Sequence, residues 1–339
     1  MSALWDTNGA EVVRELAAAR RADGVTRGLA LTLIAVVDER PGTRGTPVKT
    51  VEDAATVSAA MHPCRLLVVT RSPVGTAEPP DRLDAEIVVG GRLGPCEAVI
   101  MRMQGRLALH AESVVMPLLA PDVPVVTWWH GPPPHTISTD PLGVVAERRI
   151  TDCAQAPDPV AALRQRAADY AAGDTDLAWT RITGWRTLVA GALDAPDGLS
   201  LRPVSASIRA PAEDVSAVLL GGWLASRLGI EPQYEVASDA DGLTAVRLGL
   251  ADGDQIEIHR HDATAVLRRT GQEDRRLPLL GRALGEELAE ELRRLDPDEP
   301  YAAALSAATG IPDLLARPAG RVHTWVDPAM ASQVEPAGD

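Results

Sequence analysis

PDVPVVTWWHG, residues 121–131, joins a short apolar run to an abrupt aromatic and polar end. Val123, Val125 and Val126 are β-branched residues suited to a pleated, two-sided core, and Pro121, Pro124 and the Gly-Pro-Pro-Pro after His130 bracket the run with turn-forming residues. The stretch therefore reads as a buried central strand over 123–129, with Trp128, Trp129 and His130 at its C-terminal end. In an open α/β sheet that edge is where ligand crevices form. Two indoles and an imidazole there are the chain's best positional pointer to a site, although a Trp pair ending a strand also serves simple packing.

Outward from this strand, LALTLIAVV at 29–37 is a continuous apolar run of strand length, as a strand covered on both faces requires. Further strands are expected at 66–70, 85–89 and 98–103. Between them, helical spacing predicts helices over 8–21, capped by Asn8, over 51–61, stopped by Pro63, and over 106–119, kinked or ended at Pro117. A short helix within 140–149 and two longer ones over 158–172 and 174–193 follow. Strands alternating with helices predict a mostly parallel, doubly wound sheet across 1–175. Beyond residue 200 the pattern changes: a strand at 205–209, a helix over 213–228 closed by Gly229, and short alternating strands at 243–250, 255–261 and 263–269 separated by Asp-Gly and Asp-Ala turns. A helix over 285–295 has Leu288, Leu292 and Leu295 as its apolar stripe, and Glu286, Glu287, Glu290 and Glu291 read as a solvated face beside Arg293 and Arg294. The expected architecture is α/β: an N-terminal doubly wound, mostly parallel sheet domain followed by a smaller α+β domain with an antiparallel sheet. Its parts are 1–175, a bridging helix and linker over 176–200, the α+β domain over 201–313, and a poorly structured tail over 314–339.

The composition narrows the function classes. A chain of 339 residues with 45% hydrophobic and 24% charged residues suits two soluble domains. No apolar run approaches the ~20 residues that span a bilayer, and the N-terminus lacks the basic start and apolar stretch of a signal peptide, so no membrane association and a cytoplasmic location are expected. A net charge of −14 argues against a nucleic-acid partner; between residues 213 and 299, 19 acids face 10 arginines. Cys64, Cys96 and Cys153 form no CxxC pair, which argues against a disulfide framework or a zinc site.

Motifs for chemistry are missing. There is no GxSxG elbow, no HExxH and no kinase or deaminase pattern. Residues 38–49 read as a loop that holds Gly45 and Lys49, followed by Thr50, without the spacing of a phosphate loop. GGRLGP at 90–95 is followed by strand-like sequence where a dinucleotide loop would open a helix. His259 and His261 share a strand face with Glu257, with no evident source of further metal ligands. Accordingly no catalytic, cofactor-binding or metal-ligating residue is assigned. What remains is charge: His62, Arg65, Arg148 and Arg149. Arginine forks bind phosphate or carboxylate bidentately, so if Arg148 and Arg149 fold back near Trp129 and His130, the first domain owns an aromatic-walled anion crevice. That would suit a sugar-phosphate sensor or enzyme.

MSALWDTNGAEVV at the start, HPCRLLVV at 62–69, PDVPVVTWWHG at 121–131, DPLGVVAERRITD at 140–152, DTDLAWTRITGWRTLVAGALD at 174–194 and AEELRRLDPDEPYAAAL at 289–305 together resemble the OpcA family, the glucose-6-phosphate dehydrogenase assembly proteins. The resemblance runs in order over nearly the whole chain. It implies a non-catalytic partner that binds glucose-6-phosphate dehydrogenase and supports its assembly or allosteric activation in the oxidative pentose phosphate pathway. Such a partner needs no catalytic constellation. Aromatic and arginine anchors dominate interface energetics, which makes His62, Arg65, Trp128, Trp129, His130, Arg148, Arg149, Trp179 and Arg181 the candidates for partner or anion binding.

Overall fold

The computed structural model describes residues 2–24, 28–39, 46–72, 80–90, 96–194 and 201–323. Through residue 194 the order is β1 (Ser2–Leu4), α1 (Gly9–Asp23), β2 (Leu31–Asp38), α2 (Thr46–Met61), β3 (Cys64–Arg71), β4 (Arg82–Val89), β5 (Glu97–Gln104), α3 (Arg106–Leu109), α4 (Ala111–Val115), β6 (Val125–His130), α5 (Pro141–Val144), β7 (Arg148–Thr151), α6 (Pro159–Ala168), β8 (Asp174–Asp176), α7 (Leu177–Arg181) and α8 (Thr183–Leu193). After residue 200 come β9 (Pro203–Ala210), α9 (Val215–Leu228), β10 (Gln233–Val236), β11 (Ala245–Leu250), β12 (Gln255–His261), β13 (Thr264–Arg269), β14 (Arg275–Pro278), α10 (Leu284–Leu292) and α11 (Glu299–Thr309).

The first sheet has 8 strands in the order β1-β4-β5-β3-β2-β6-β7-β8. From β5 to β8 every neighbouring pair is parallel, whereas β4 and β1 join antiparallel at the edge. Numbered by their own order along the chain, the parallel strands run three, two, one, four, five, six, the doubly wound arrangement whose switch point lies between β2 and β6. β2 is buried along seven of its eight residues, as a strand covered on both faces must be. One face packs α1, α4 and α5 through Val12, Leu16, Val114, Val115 and Leu142. The other packs α2 through Val51, Ala54, Ala55 and Ala59, and also α10 through Leu288 and Leu292. The period of two along β6 sends Trp129 to the first of these layers and Trp128 to the second.

α10 thus covers the first sheet, not the second as its place in the sequence suggested. Its approach to α2 is close enough to require Gly285, where an added Cβ would lie 2.7 Å from Val57 Cβ and 2.9 Å from the Ala54 carbonyl oxygen. The contact is tied by Ser58, whose hydroxyl donates to the Gly285 carbonyl (2.9 Å), and by His62, whose Nε2 donates to that of Ala289 (2.9 Å).

The second sheet has 6 strands, β10-β9-β11-β12-β13-β14, all antiparallel except the β10/β9 pair. Its inner face packs α8, α9 and α11 around Ile208, Val246, Ile256, Ile258, Leu220 and Leu305. On the outer face Glu257 pairs with Arg247 (3.2 Å), and His259 and His261 lie half-buried and exposed respectively. α9 begins where Asp214 accepts from the Ser216 and Ala217 amides and ends at Gly229, whose φ of 68° admits the left-handed turn.

Four stretches differ from the sequence expectations. Residues 140–149 hold only the short helix α5, because Arg148 and Arg149 begin the buried strand β7. Residues 174–193 are not one helix: Asp174–Asp176 pairs with β7 as β8 before α7 and α8 form. The helix over 106–119 is broken into α3, α4 and a 3-10 turn ending at Leu118. After Asp313, Leu314 is buried and Arg317 donates to the Ala167 and Ala168 carbonyls (2.9 Å each), so residues 314–323 are bound to the end of α6. The expected loop over 38–49 lies partly outside the described residues, and its last residues already belong to α2; most of the turn at 90–95 lies outside them as well.

Candidate functional site: an ion-paired seam beside the strand ends

β6 carries Trp128 and Trp129 into the two layers at 0% and 2% exposure and leaves His130 half-buried at the strand end. Trp129 donates its indole N–H to Asp140 Oδ2 (3.0 Å), a carboxylate that also caps α5 at the Leu142 amide and accepts from Arg71 Nη2 (3.0 Å). Trp128 meets His130 edge-on at 5.5 Å between ring centroids. Burial lowers the His130 pKa, with Asp152 partly opposing it, so the imidazole is neutral at physiological pH.

Beside this strand end is a crevice of about 330 Å³ lined by Trp128, Trp129, His130, Asp152, Arg181 and Glu287, with Thr50 of α2 and Leu284 of α10 closing it. It lies where a doubly wound sheet offers a binding position, but its charged side chains Asp152, Arg181 and Glu287 are bound to one another. Arg181 forms a fork to Asp152 (2.8 Å to each oxygen) and a second to Glu287 (3.0 Å to each). Burial alone would lower the Arg181 pKa, yet the two carboxylates override it and keep the guanidinium charged. Burial raises the Glu287 pKa despite Arg181.

Below the crevice the seam continues inside the protein. Arg148, 3% exposed, donates to Glu291 of α10 and to the Asp296 carbonyl (3.1 Å). Glu291 also accepts from the Thr180 hydroxyl. Arg149, 1% exposed, turns the other way, to Asp174 and the Ala172 carbonyl (2.7 Å). Asp176 accepts from the Thr151 hydroxyl (2.8 Å) and from the Cys153 and Ala178 amides (2.9 and 3.0 Å). Complete burial, followed by the nearby Asp152, raises its pKa even so.

The structure therefore separates the residues the sequence grouped together. Arg148 and Arg149 do not line the crevice; their charges are consumed by carboxylates in opposite directions, and the anion site imagined around them is not built. Arg65 is likewise buried, donating to Glu97 (2.6 Å) and the Leu118 carbonyl (2.7 Å). Trp179, 1% exposed, donates to Asp298 (2.9 Å) and carries Arg186 over its ring at 3.6 Å. Of the expected anchors, His62, His130 and Arg181 are not fully buried. His62 and Arg181 also line a larger groove of about 1230 Å³ with Met61, Leu280, Arg260 and Arg293. Sequence reasoning missed Glu287 and Glu291, which it placed on a solvated face. The signal was available in their spacing: four apart, they share the helix side that adjoins Leu288 and Leu292. Among the described residues no group of three or more His, Cys, Asp or Glu side chains is placed to hold a metal ion, and no helix is long and apolar enough to cross a membrane.

A doubly wound sheet and a mostly antiparallel second sheet, with ion pairs joining α10 to β7 and α7, define the class of protein. Residues 55–168 match the family model described as the glucose-6-phosphate dehydrogenase subunit N-terminal domain, and residues 172–305 match its C-terminal domain counterpart. The chain belongs to the OpcA family of glucose-6-phosphate dehydrogenase assembly proteins. A relative from Synechococcus elongatus, named as the OxPP cycle protein OpcA, is 30% identical over 179 residues; the match covers 47% of this chain and 40% of that protein. Among solved structures, glucose-6-phosphate 1-dehydrogenase from Mycobacterium avium aligns over 91% of this chain and 98% of its own at 11% identity with a TM-score of 0.41. An oxidoreductase from Sinorhizobium meliloti aligns over 82% and 86% at 11% identity with a TM-score of 0.38.

Proposed function

We propose that this chain is a non-catalytic, cytoplasmic partner of glucose-6-phosphate dehydrogenase that assembles or allosterically activates it in the oxidative pentose phosphate pathway. The observation that carries the reading is the pair of consecutive family models, both described as dehydrogenase subunit domains, over 55–168 and 172–305. The crevice is compatible with the reading, because the charges of its Arg181, Asp152 and Glu287 are taken up in ion pairs with one another. An activator must bind the active conformation of its target better than the inactive one, since equal affinity for both shifts nothing.

The partner contact is proposed along the larger groove, where Met61 and Leu280 are 55% and 72% exposed beside His62 and Arg181. Apolar side chains on a charged rim are the composition of a protein contact. The test is titration of this protein into purified cognate dehydrogenase while NADP reduction is followed. A saturable rise in kcat or fall in KM, with co-elution, is the expected result. Unchanged kinetics and no co-elution would remove the reading.

A further inference from the structure

β10 is the outermost strand of the second sheet, and all four of its residues are exposed. The Ala237 amide donates to the Ala210 carbonyl of β9 (2.8 Å). Alternation along the strand then turns the N–H and C=O of Gln233 and Glu235 toward β9, and those of Tyr234 and Val236 outward to an edge that no described strand pairs with. Proteins usually blunt such an edge with lysine, proline or a bulge within the strand. Gln233–Val236 carries none of these, only its shortness and the charge of Glu235 limiting it, and Tyr234 and Val236 are 53% and 64% exposed.

The same two side chains lie over an apolar crevice. Their register partners, Ile208 and Ala210, are buried toward the helix layer, and Tyr234 and Val236 line a crevice of about 390 Å³ with Val160, Leu163, Ala217 and Ala308. The Tyr234 ring rests on α9, where a Cβ on Gly221 would lie 2.0 Å from the phenol oxygen. At the rim, Glu213, Asp214 and Glu235 face a single lining cation, Arg164; Glu235 also reaches Arg247 on the outer face (3.3 Å).

We infer that β10 and this crevice bind an extended peptide segment of a partner protein. The segment adds a strand at this edge, seats an apolar side chain in the crevice and sets a lysine or arginine against Glu213 and Asp214. Main-chain bonds to Tyr234 and Val236 supply affinity and the crevice supplies selectivity, the division found in strand addition generally. A second copy of this chain is the poorer occupant, because twofold pairing of two β10 edges brings two acidic rims together.

The experiment uses the full chain and the acetylated, amidated peptide Arg-Thr-Val-Thr-Val-Thr, whose arginine and valines share one face of the extended chain, with calorimetry for affinity and hydrogen exchange for location. Expected are saturable binding and slowed exchange at Tyr234 and Val236. Val236→Pro removes an outward N–H while sparing the bonds to β9, and should weaken binding at least about tenfold without lowering Tm. The same peptide N-methylated at alternate residues should weaken equally. Glu213→Lys should reverse the preference toward a peptide with aspartate in place of arginine. No binding, undiminished binding of the N-methylated peptide, or indifference to the charge of the peptide overturns the inference. So does a dimer of the unliganded chain that Val236→Pro abolishes, which would give the edge to a second copy.

Discussion

Removing the Glu291 carboxylate strands Arg148 in the interior, since the pair is 6% and 4% exposed and Glu291 is the carboxylate that Arg148 pairs with. Breaking one side of such a buried pair costs about 3–5 kcal/mol, so Glu291→Ala should lower the urea midpoint severely. Glu290→Ala, one residue away in an exposed pair with Arg293, should cost about 0–1 kcal/mol. Equal losses in the two variants would refute the seam. Asp176 gives a second residue-scale test. Its folded pKa is raised by burial and by Asp152. Its contribution is therefore fully present below the unfolded value near 3.9 and is lost as pH rises through the folded pKa. Asp176→Asn should gain in Tm relative to the wild type as pH rises above the unfolded value, and parallel curves would contradict the assignment. The sequence left these residues illegible for a physical reason. Charge pattern alone places Glu287 and Glu291 on a solvated face and Arg148 and Arg149 at a crevice; only the tertiary pairing of β7 with α10 and β8, and of α7 with α10, makes their burial tolerable.

At the scale of elements, the docking of α10 on α2 decides whether the seam can close. Gly285 has no room for a side chain against Val57 and Ala54. In an ordinary helix, exchanging glycine for leucine favours the helix by under about 1 kcal/mol, but overpacking here costs about 1–3 kcal/mol or more, and the steric effect wins. Gly285→Leu should lower Tm and speed amide exchange through α10 while α11 stays protected; unchanged exchange in α10 would show that the contact is dispensable. Elements with clean periodicity were legible from sequence: the apolar run of β2, the valines of β6, the Asn8 cap of α1 and the Gly229 end of α9. β8, written Asp-Thr-Asp, was not, because its burial rests on hydrogen bonds rather than apolar side chains. β10 and β14 escaped notice as four-residue edges, and α10 was recognised but assigned to the wrong sheet, since amphipathicity states that a helix is covered and not by what.

For the whole molecule, the consequence of α10 crossing back to the first sheet is that the two matched domain regions share one interior seam, and the groove between them is bounded by both. Met61 ends α2 on one side and Leu280 precedes α10 on the other, and both project apolar side chains into solvent at 55% and 72% exposure. A dehydrogenase seated along this groove would touch both halves at once, so its affinity would depend on the docked arrangement as well as on the contacts. Met61→Asp together with Leu280→Asp changes only exposed positions and should shift Tm little, since surface substitutions fall within about 0.5 kcal/mol. Burying two carboxylates against the partner should cost several times that. The concentration of this protein giving half-maximal activation of the dehydrogenase should therefore rise at least about tenfold. Gly285→Leu, acting through the arrangement, should weaken activation without altering any groove side chain. If the double aspartate variant activates at the wild-type concentration, the dehydrogenase binds elsewhere on this chain; if Gly285→Leu alone leaves activation untouched, the groove acts as a passive surface whose grip is independent of the seam beneath it.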